Sequence, residues 1–407
     1  MPVCRWVSCQ RQQPEWTSPN NRRLFAKEGH LWPQNVNMCF IGPLQNSRRF
    51  RILITRLLSS LLVLLAGIWL IPLSGLVTAQ ESGSARAPLV PEDNLPRELP
   101  IDAIPKGFSA APIAPKNNPT TLEKVQLGRR LFFDQILSRD GTVACATCHR
   151  PDQGFASSDP VAIGIDGRVG KRNAPSILNR GYGTHFLWDG SATSLEDQAL
   201  TPIGNPDEFG TDIETVLKSL RSDNSYRDQF AKAFGESDSI EQVISAERLA
   251  KAIASFERTL VYGNTRVDRF RASEYGALSR DARQGMWIFE SSGGCWKCHG
   301  GEIFSDENFH NTGVDFENPN RDVGRFAVTK DENDNFKFKT PSLRGIALTA
   351  PYMHDGGMKT LREVVEFYNK GGAPGDPNLD NDIQRLNLSD KEIGFLVEFL
   401  KALSQEQ

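Results

Sequence analysis

Two five-residue motifs constrain this chain more than anything else in it: Cys145-Ala-Thr-Cys148-His149 and Cys295-Trp-Lys-Cys298-His299. A Cys-x-x-Cys-His turn places two thiols and one imidazole on a short stretch of backbone. That is the set needed to add covalently across the two vinyl groups of a haem and to ligate its iron with the histidine that follows. Zinc is the competing reading of paired cysteines, because two CxxC pairs can build a Cys4 site. A histidine directly after each second cysteine is unnecessary there. Two complete copies therefore predict two covalent c-type haems. Cys145, Cys148, Cys295 and Cys298 are the attachment points, and His149 and His299 the iron ligands.

The other cysteines, Cys4, Cys9 and Cys39, all precede an uncharged apolar run, Leu57–Ala79. No cysteine after that run is left over for a disulfide. Arg48, Arg49, Arg51 and Arg56 lead into the run, and Val77-Thr78-Ala79 closes it with a small-residue cleavage pattern before Gln80. This describes an export signal. The run is also long enough to span a bilayer, so a cleaved signal and a retained membrane anchor both stay open. Either places the body of the chain in the periplasm. Residues 1–46 read as neither signal nor domain, which fits translation starting downstream, with Met38 as one alternative.

Residues 1–79 hold nine of the 47 Lys/Arg and two of the 50 Asp/Glu, so the remainder carries about −10. An acidic body argues against nucleic acid, whose phosphates need a basic face. It favours a basic protein partner kinetically, although plain solubility explains the charge equally well.

Residues 80–119 contain eight prolines and read as an extended linker or a segment lying on the surface. Two similar blocks follow. Gly128-x-x-x-Phe132 precedes the first CxxCH and Gly154-Phe155-Ala156 follows it; Gly285-x-x-x-Phe289 and Ile303-Phe304-Ser305 bracket the second. Helical periodicity is clear over Ile240–Val261, where Val243, Ala246, Leu249, Ile253 and Phe256 keep roughly one face, and again over Thr360–Tyr368 and Ser389–Leu403. Strand-like alternation is scarce. The expected fold is mainly α, with two cytochrome c-like haem domains in one chain and long loops: residues 120–275 and 276–407. A homodimer is left open.

Four further segments accompany the motifs: Gly170-Lys-Arg-Asn-Ala-Pro175, Trp188-Asp-Gly190 through Glu208, Gly324-Arg-Phe-Ala-Val-Thr329, and Thr340-Pro-Ser-Leu-Arg344 running to Tyr352-Met-His-Asp-Gly356. With them the chain resembles the bacterial dihaem cytochrome c peroxidase family, which includes the MauG proteins, from about Leu127 to Leu403. The resemblance implies that the N-terminal haem meets hydrogen peroxide while the C-terminal haem passes or stores electrons. Peroxidases of the family often carry a histidine in the loop after the first CxxCH, and Arg150–Gly183 contains none. The first haem is therefore expected to be five-coordinate, as in the MauG branch. Gln198, Pro202 and Glu208 match the distal pocket. Glu208 would move a proton between the peroxide oxygens if its pKa lies near neutrality, Gln198 would orient peroxide, and Pro202 would shape the pocket. By residue type alone, Asp207 is an equal candidate for the acid. Trp188 matches a residue between the haems.

For the second haem, the family register places Tyr368 opposite His299, where peroxidases carry methionine. Leu361, Val364, Val365 and Tyr368 share one helical face. By periodicity alone Tyr368 reads as a core tyrosine, and Met358 is its main rival as ligand. Asn173, Thr349 and Pro351 match a calcium site, built from one side-chain amide and two backbone carbonyls. Arg325 and Arg344 are candidates for haem propionate pairing or for surface salt bridges. The MauG branch relays electrons through a tryptophan two residues before the second CxxCH. That position is Gly293 here, so maturation of a methylamine dehydrogenase is not expected. Three functions follow: a dihaem peroxidase fed by a periplasmic donor such as a small cytochrome c or cupredoxin, a MauG-like oxidase of a specific protein, or an electron-transfer cytochrome without catalysis.

Overall fold

The computed structural model describes residues 104–405, all within a compact unit spanning 81–407. The N-terminal extension, the signal or anchor segment and much of the Pro-rich stretch lie outside the described residues. Among the described residues, no helix is long and apolar enough to cross a membrane.

The structure is mainly helical. The first half contains α1 (Leu122–Phe133), α2 (Cys145–Cys148), α3 (Leu195–Gly204), α4 (Ile213–Ser222), α5 (Asn224–Phe234), α6 (Ile240–Val243), α7 (Ala246–Arg258) and α8 (Arg266–Arg271). The second contains α9 (Arg280–Glu290), α10 (Phe326–Thr329), α11 (Leu361–Asn369) and α12 (Asp390–Ala402). Two short antiparallel strands, β1 (Phe309–His310) and β2 (Phe338–Lys339), pair with Phe309 opposite Lys339. Helix starts follow local chemistry: Thr121, Ser245, Ser279 and Ser389 accept hydrogen bonds from the first-turn N–H groups of Lys124, Arg248, Ala282 and Glu392. The same rule corrects one expectation. Ile240–Val261 is not one helix, because Ile244 turns extended and Ser245 caps a new helix, α7.

The two similar sequence blocks build the same device. α1 packs on α7 and α9 packs on α12. A Cβ on Gly128 would collide with the carbonyl of Ala252 and press on Phe256, and one on Gly285 would collide with the carbonyl of Phe395 and press on Phe399. Each glycine thus lets two helix backbones touch. The phenylalanine four residues on fills the space beside the crossing. Phe132 stands 5.2 Å from Phe256 and 6.2 Å from Phe155; Phe289 stands 4.9 Å from Phe399 and 6.3 Å from Phe304. A large apolar cluster runs through Leu127, Leu220, Phe230 and Ile253, and another through Val267, Phe289, Phe304, Val365 and Phe399.

The described end of the Pro-rich stretch lies on the body. Phe108 stacks on Tyr182 at 4.5 Å, and Asn118 is fully buried, donating to Glu196 and to the Lys251 carbonyl.

Gly285→Ala should lower the unfolding free energy by about 1–3 kcal/mol through overpacking. Gly394→Ala, on α12 where an added Cβ meets nothing within 4 Å, should raise it by about 0.5–1 kcal/mol through helix propensity. Denaturant midpoints of the two variants test the crossing.

Candidate active site

Both Cys-x-x-Cys-His turns open onto one cavity of about 800 Å³, lined by Cys148, His149, Cys295, Cys298 and His299. The two histidines are held alike. His149 Nδ1 lies 3.2 Å from the carbonyl of Phe155, and His299 Nδ1 lies 3.0 Å from that of Phe304. A carbonyl only accepts, so each Nδ1 carries the proton and each Nε2 keeps its lone pair. Burial lowers both imidazole pKa values and keeps the rings neutral. Phe155 and Phe304 both adopt positive φ, 54° and 52°, a conformation that costs about 1–2 kcal/mol for a residue with a side chain. The cysteines are free of disulfides. Burial pushes the Cys145 thiol far up and those of Cys148 and Cys295 to about 11. Among the described residues the four thiols do not converge; the one cluster of metal-ligating types is Cys298, Asp306 and His310. A Cys4 zinc site is thereby excluded. Neutral imidazoles presenting Nε2, with unpaired thiols beside a shared cavity, fit a haem at each turn.

The expected distal residues come together on the first side of this cavity. Ser194 caps α3 and sets the register that lines the cavity with Leu195, Gln198 and Pro202. Glu208 follows in the turn after α3, where Ile165 N–H donates to its carbonyl at 2.9 Å and Asn205 Nδ2 donates to its carboxylate at 2.6 Å. Burial raises the Glu208 pKa; the Asn205 hydrogen bond opposes the rise and the Asp207 charge adds to it. Asp207, which sequence left as an equal, is exposed and pairs with Arg168 at 3.3 Å. Trp188 also lines the cavity, its indole N–H donating to the Asn173 carbonyl at 2.9 Å, and its ring meets His354 edge-on at 6.4 Å.

On the second side, Leu361, Val364 and Tyr368 of α11 line the cavity with His299. Burial pushes the Tyr368 phenol up to about 12, with Thr312 hydrogen-bonded to it and Cys298 and Cys295 close enough to be felt electrostatically. Met358 pairs its backbone with Tyr352 and is absent from the lining. Asn173, Thr349 and Pro351 sit along the same cavity.

The two candidate arginines are placed differently. Arg344 is buried and pairs bidentately with Asp268 at 2.7 and 3.0 Å, while its remaining contacts go to the carbonyls of Glu302 and Gly107. Arg325 stands outside the lining, donating to the carbonyls of Asp189 and Gly190 and lying over the Phe309 ring. Arg344 nonetheless lines the cavity, together with cations that sequence reading passed over. Arg172 bridges Asp189 and Asp322 at 2.6 Å each, Arg180 bridges Glu307 at 2.7 Å, and burial lowers Lys339 to about 8. It also passed over Glu257, a buried carboxyl in the lining. A signal for Glu257 existed: it continues the stripe of Ala250 and Ala254, on a helix that is already apolar along Leu249, Ile253 and Phe256.

Comparison with known proteins gives a consistent answer. The sequence model of the di-haem cytochrome c peroxidase family matches residues 122–276. The chain is 40% identical over 294 residues to the methylamine utilization protein MauG of Methylorubrum extorquens, covering 72% of this chain and 81% of that one. It is 35% identical over 291 residues to the cytochrome c551 peroxidase of Nitrosomonas europaea, covering 71% and 82%. Among solved structures, a MauG-like protein associated with microbial copper homeostasis superposes with a TM-score of 0.67 at 33% identity, over 78% of this chain and 96% of that one. The diheme peroxidase BthA of Burkholderia thailandensis shares the fold with a TM-score of 0.62 at 22% identity, over 77% and 94%. With two histidines presented to one cavity and a half-buried carboxyl beside the first, the chain belongs to the di-haem cytochrome c peroxidase family and is an oxidoreductase acting on peroxide.

Proposed function

We propose that this chain is a periplasmic peroxidase with two covalent c-type haems, reducing hydrogen peroxide with electrons from a small redox-protein donor. The observation that carries it is Glu208, a carboxyl of raised pKa on the cavity wall whose charge reaches the Cys145 and Cys148 thiols of the first turn. Haem, when bound, supplies the redox-active iron that accepts peroxide and the electrons. Residues 120–275 hold the peroxide-facing haem and 276–407 the electron-transfer haem. His149 and His299 would hold the haem irons through Nε2, with the carbonyls of Phe155 and Phe304 keeping the rings in place. Glu208 takes the proton from one peroxide oxygen and returns it to the other, its carboxyl held by Asn205. Gln198 orients peroxide through its amide. Pro202, with no N–H, frees the Gln198 carbonyl from the helical ladder. Trp188 lies between the two haem sites. Tyr368 would hold the second haem together with His299, and Asn173 with the Thr349 and Pro351 carbonyls would hold Ca2+.

A second reading, oxidation of a specific protein, is favoured by Tyr368 standing where the peroxidases carry methionine. A phenolate stabilises oxidised iron, which suits storing an oxidising equivalent rather than rapid intake of electrons. Gly293, where the MauG branch carries its relay tryptophan, does not support methylamine dehydrogenase as that substrate. A Cβ there would lie 2.8 Å from the Ile288 carbonyl, so a tryptophan would require a local shift.

Adding peroxide to the diferric protein should change its haem spectrum; an unchanged spectrum rejects catalysis and leaves an electron-transfer cytochrome. Glu208→Gln should lower peroxide turnover by roughly 10²–10⁴-fold, while Asp207→Asn stays within about twofold, as expected for an exposed carboxyl. Electron paramagnetic resonance of the resting protein should show one high-spin and one low-spin ferric haem. Tyr368→Phe should abolish the low-spin signal, and an unaltered spectrum would reject Tyr368 as a ligand.

A further inference from the structure

Glu257 has no part in the mechanism above. It is 4% exposed, it lines the cavity, and its Oε2 has no hydrogen-bond partner. A buried carboxyl oxygen without a partner is costly, so its place on the cavity wall asks for a use. Its position follows from helix geometry. Ala254 and Glu257 are three residues apart on α7 and share a face. Ala254 shares a small apolar cluster with Leu195 and Phe186. Leu195, Gln198 and Glu257 all line the cavity. The Cys145 thiol feels the Glu257 charge, which puts Glu257 on the side of the first Cys-x-x-Cys-His turn.

The charged groups around it are few. Arg258, next along α7, gives both of its carboxylate contacts to Glu196 of α3, at 2.7 and 2.6 Å. Arg180 is held by Glu307, and Lys124 of α1 by Asn118 and the Pro119 carbonyl. The Cys145 thiol of α2 feels the Glu257 charge. Burial, only partly offset by Arg258 and reinforced by Glu196, raises the Glu257 pKa to about 8. At neutral pH the group is a carboxylic acid.

Reducing one H2O2 to two H2O consumes two electrons and two protons. Glu208 moves a proton from one peroxide oxygen to the other and adds none to the total. We propose that Glu257 is the proton-supplying residue of this cavity, a buried carboxylic acid that delivers protons to the peroxide side and regains them from water. The inference rests on the peroxidase reading. Each turnover draws two protons in succession through the Glu257 carboxyl; each transfer leaves a carboxylate that is reprotonated from solvent before the next. The electrons come from the redox-protein donor.

The test uses the haem-loaded protein and its Glu257→Gln and Glu257→Asp variants, with haem content and Soret spectra verifying folding. Infrared spectroscopy of the native protein should show the carbonyl stretch of a protonated carboxyl that disappears as pH rises through about 8, and Glu257→Gln should remove it. Peroxide turnover of the native protein should fall along an alkaline limb near the same pH. Glu257→Gln should be slower by about tenfold or more and lack the limb, and Glu257→Asp should restore part of both. Stability provides a separate check. The raised pKa means that the contribution of Glu257 to stability is fully present below its unfolded pKa of about 4.3 and is lost as pH rises through about 8. The melting temperature of the native protein should therefore drop relative to Glu257→Gln across that window. A Glu257→Gln variant with native rate and native alkaline limb overturns the proposal. If that variant fails to load haem, the native infrared titration decides, and absence of a titrating carboxyl band overturns it. A native protein without peroxide turnover would reject the peroxidase reading instead, whatever the infrared band does.

Discussion

The structure depends on two places where helix backbones touch. Gly128 admits the carbonyl of Ala252 and Gly285 admits that of Phe395, and no residue with a side chain does either. Each contact brings a phenylalanine pair against the loop that follows a Cys-x-x-Cys-His turn, through Phe132 to Phe155 and through Phe289 to Phe304. Those loop phenylalanines supply the carbonyls that orient His149 and His299. Helix crossing, aromatic packing and imidazole orientation are thus one connected arrangement, built twice. A fault at the glycine is transmitted to the imidazole on the cavity wall.

Beyond that repeat the two sides of the cavity differ in charge and ligand type. The first carries carboxyls whose pKa values burial raises, Glu208 and Glu257. The second carries a phenol on α11 and a cluster of fixed charges, with His310 held between Asp380 at 2.6 Å and Asp306 at 3.0 Å. Long-range ion pairs join distant segments around this cavity: Arg172 to Asp322, Arg180 to Glu307, Arg344 to Asp268. Such pairs owe their value less to net stability than to position, because removing one partner strands a buried charge. They hold the walls of a cavity that must keep its shape around rigid planar groups.

Local chemistry made much of this legible from sequence. The Cys-x-x-Cys-His turns, the Gly-x-x-x-Phe blocks and the apolar face of α11 are all encoded within a few residues. The choice between Asp207 and Glu208 was not, because both sit in one turn and only the fold shows which is exposed. Nor was the partner of Arg344, since Asp268 is 76 residues away and nothing near either residue marks the other. The reading of α7 was misled because Val243 and Ala246 carry the apolar period across Ser245, whose hydroxyl caps a new helix. Glu257 was legible in part: a carboxylate on an alanine stripe is conspicuous, but its burial depends on α3 packing across it.

The thiols that face the cavity carry a consequence for biogenesis. In the folded chain burial raises the thiol pKa values of Cys145, Cys148 and Cys295, so these three are poor nucleophiles near neutral pH. Covalent haem attachment of the kind proposed would therefore fall to an open chain. Assembly would acquire an order, with the polypeptide meeting its haems first and closing its helices over them afterwards.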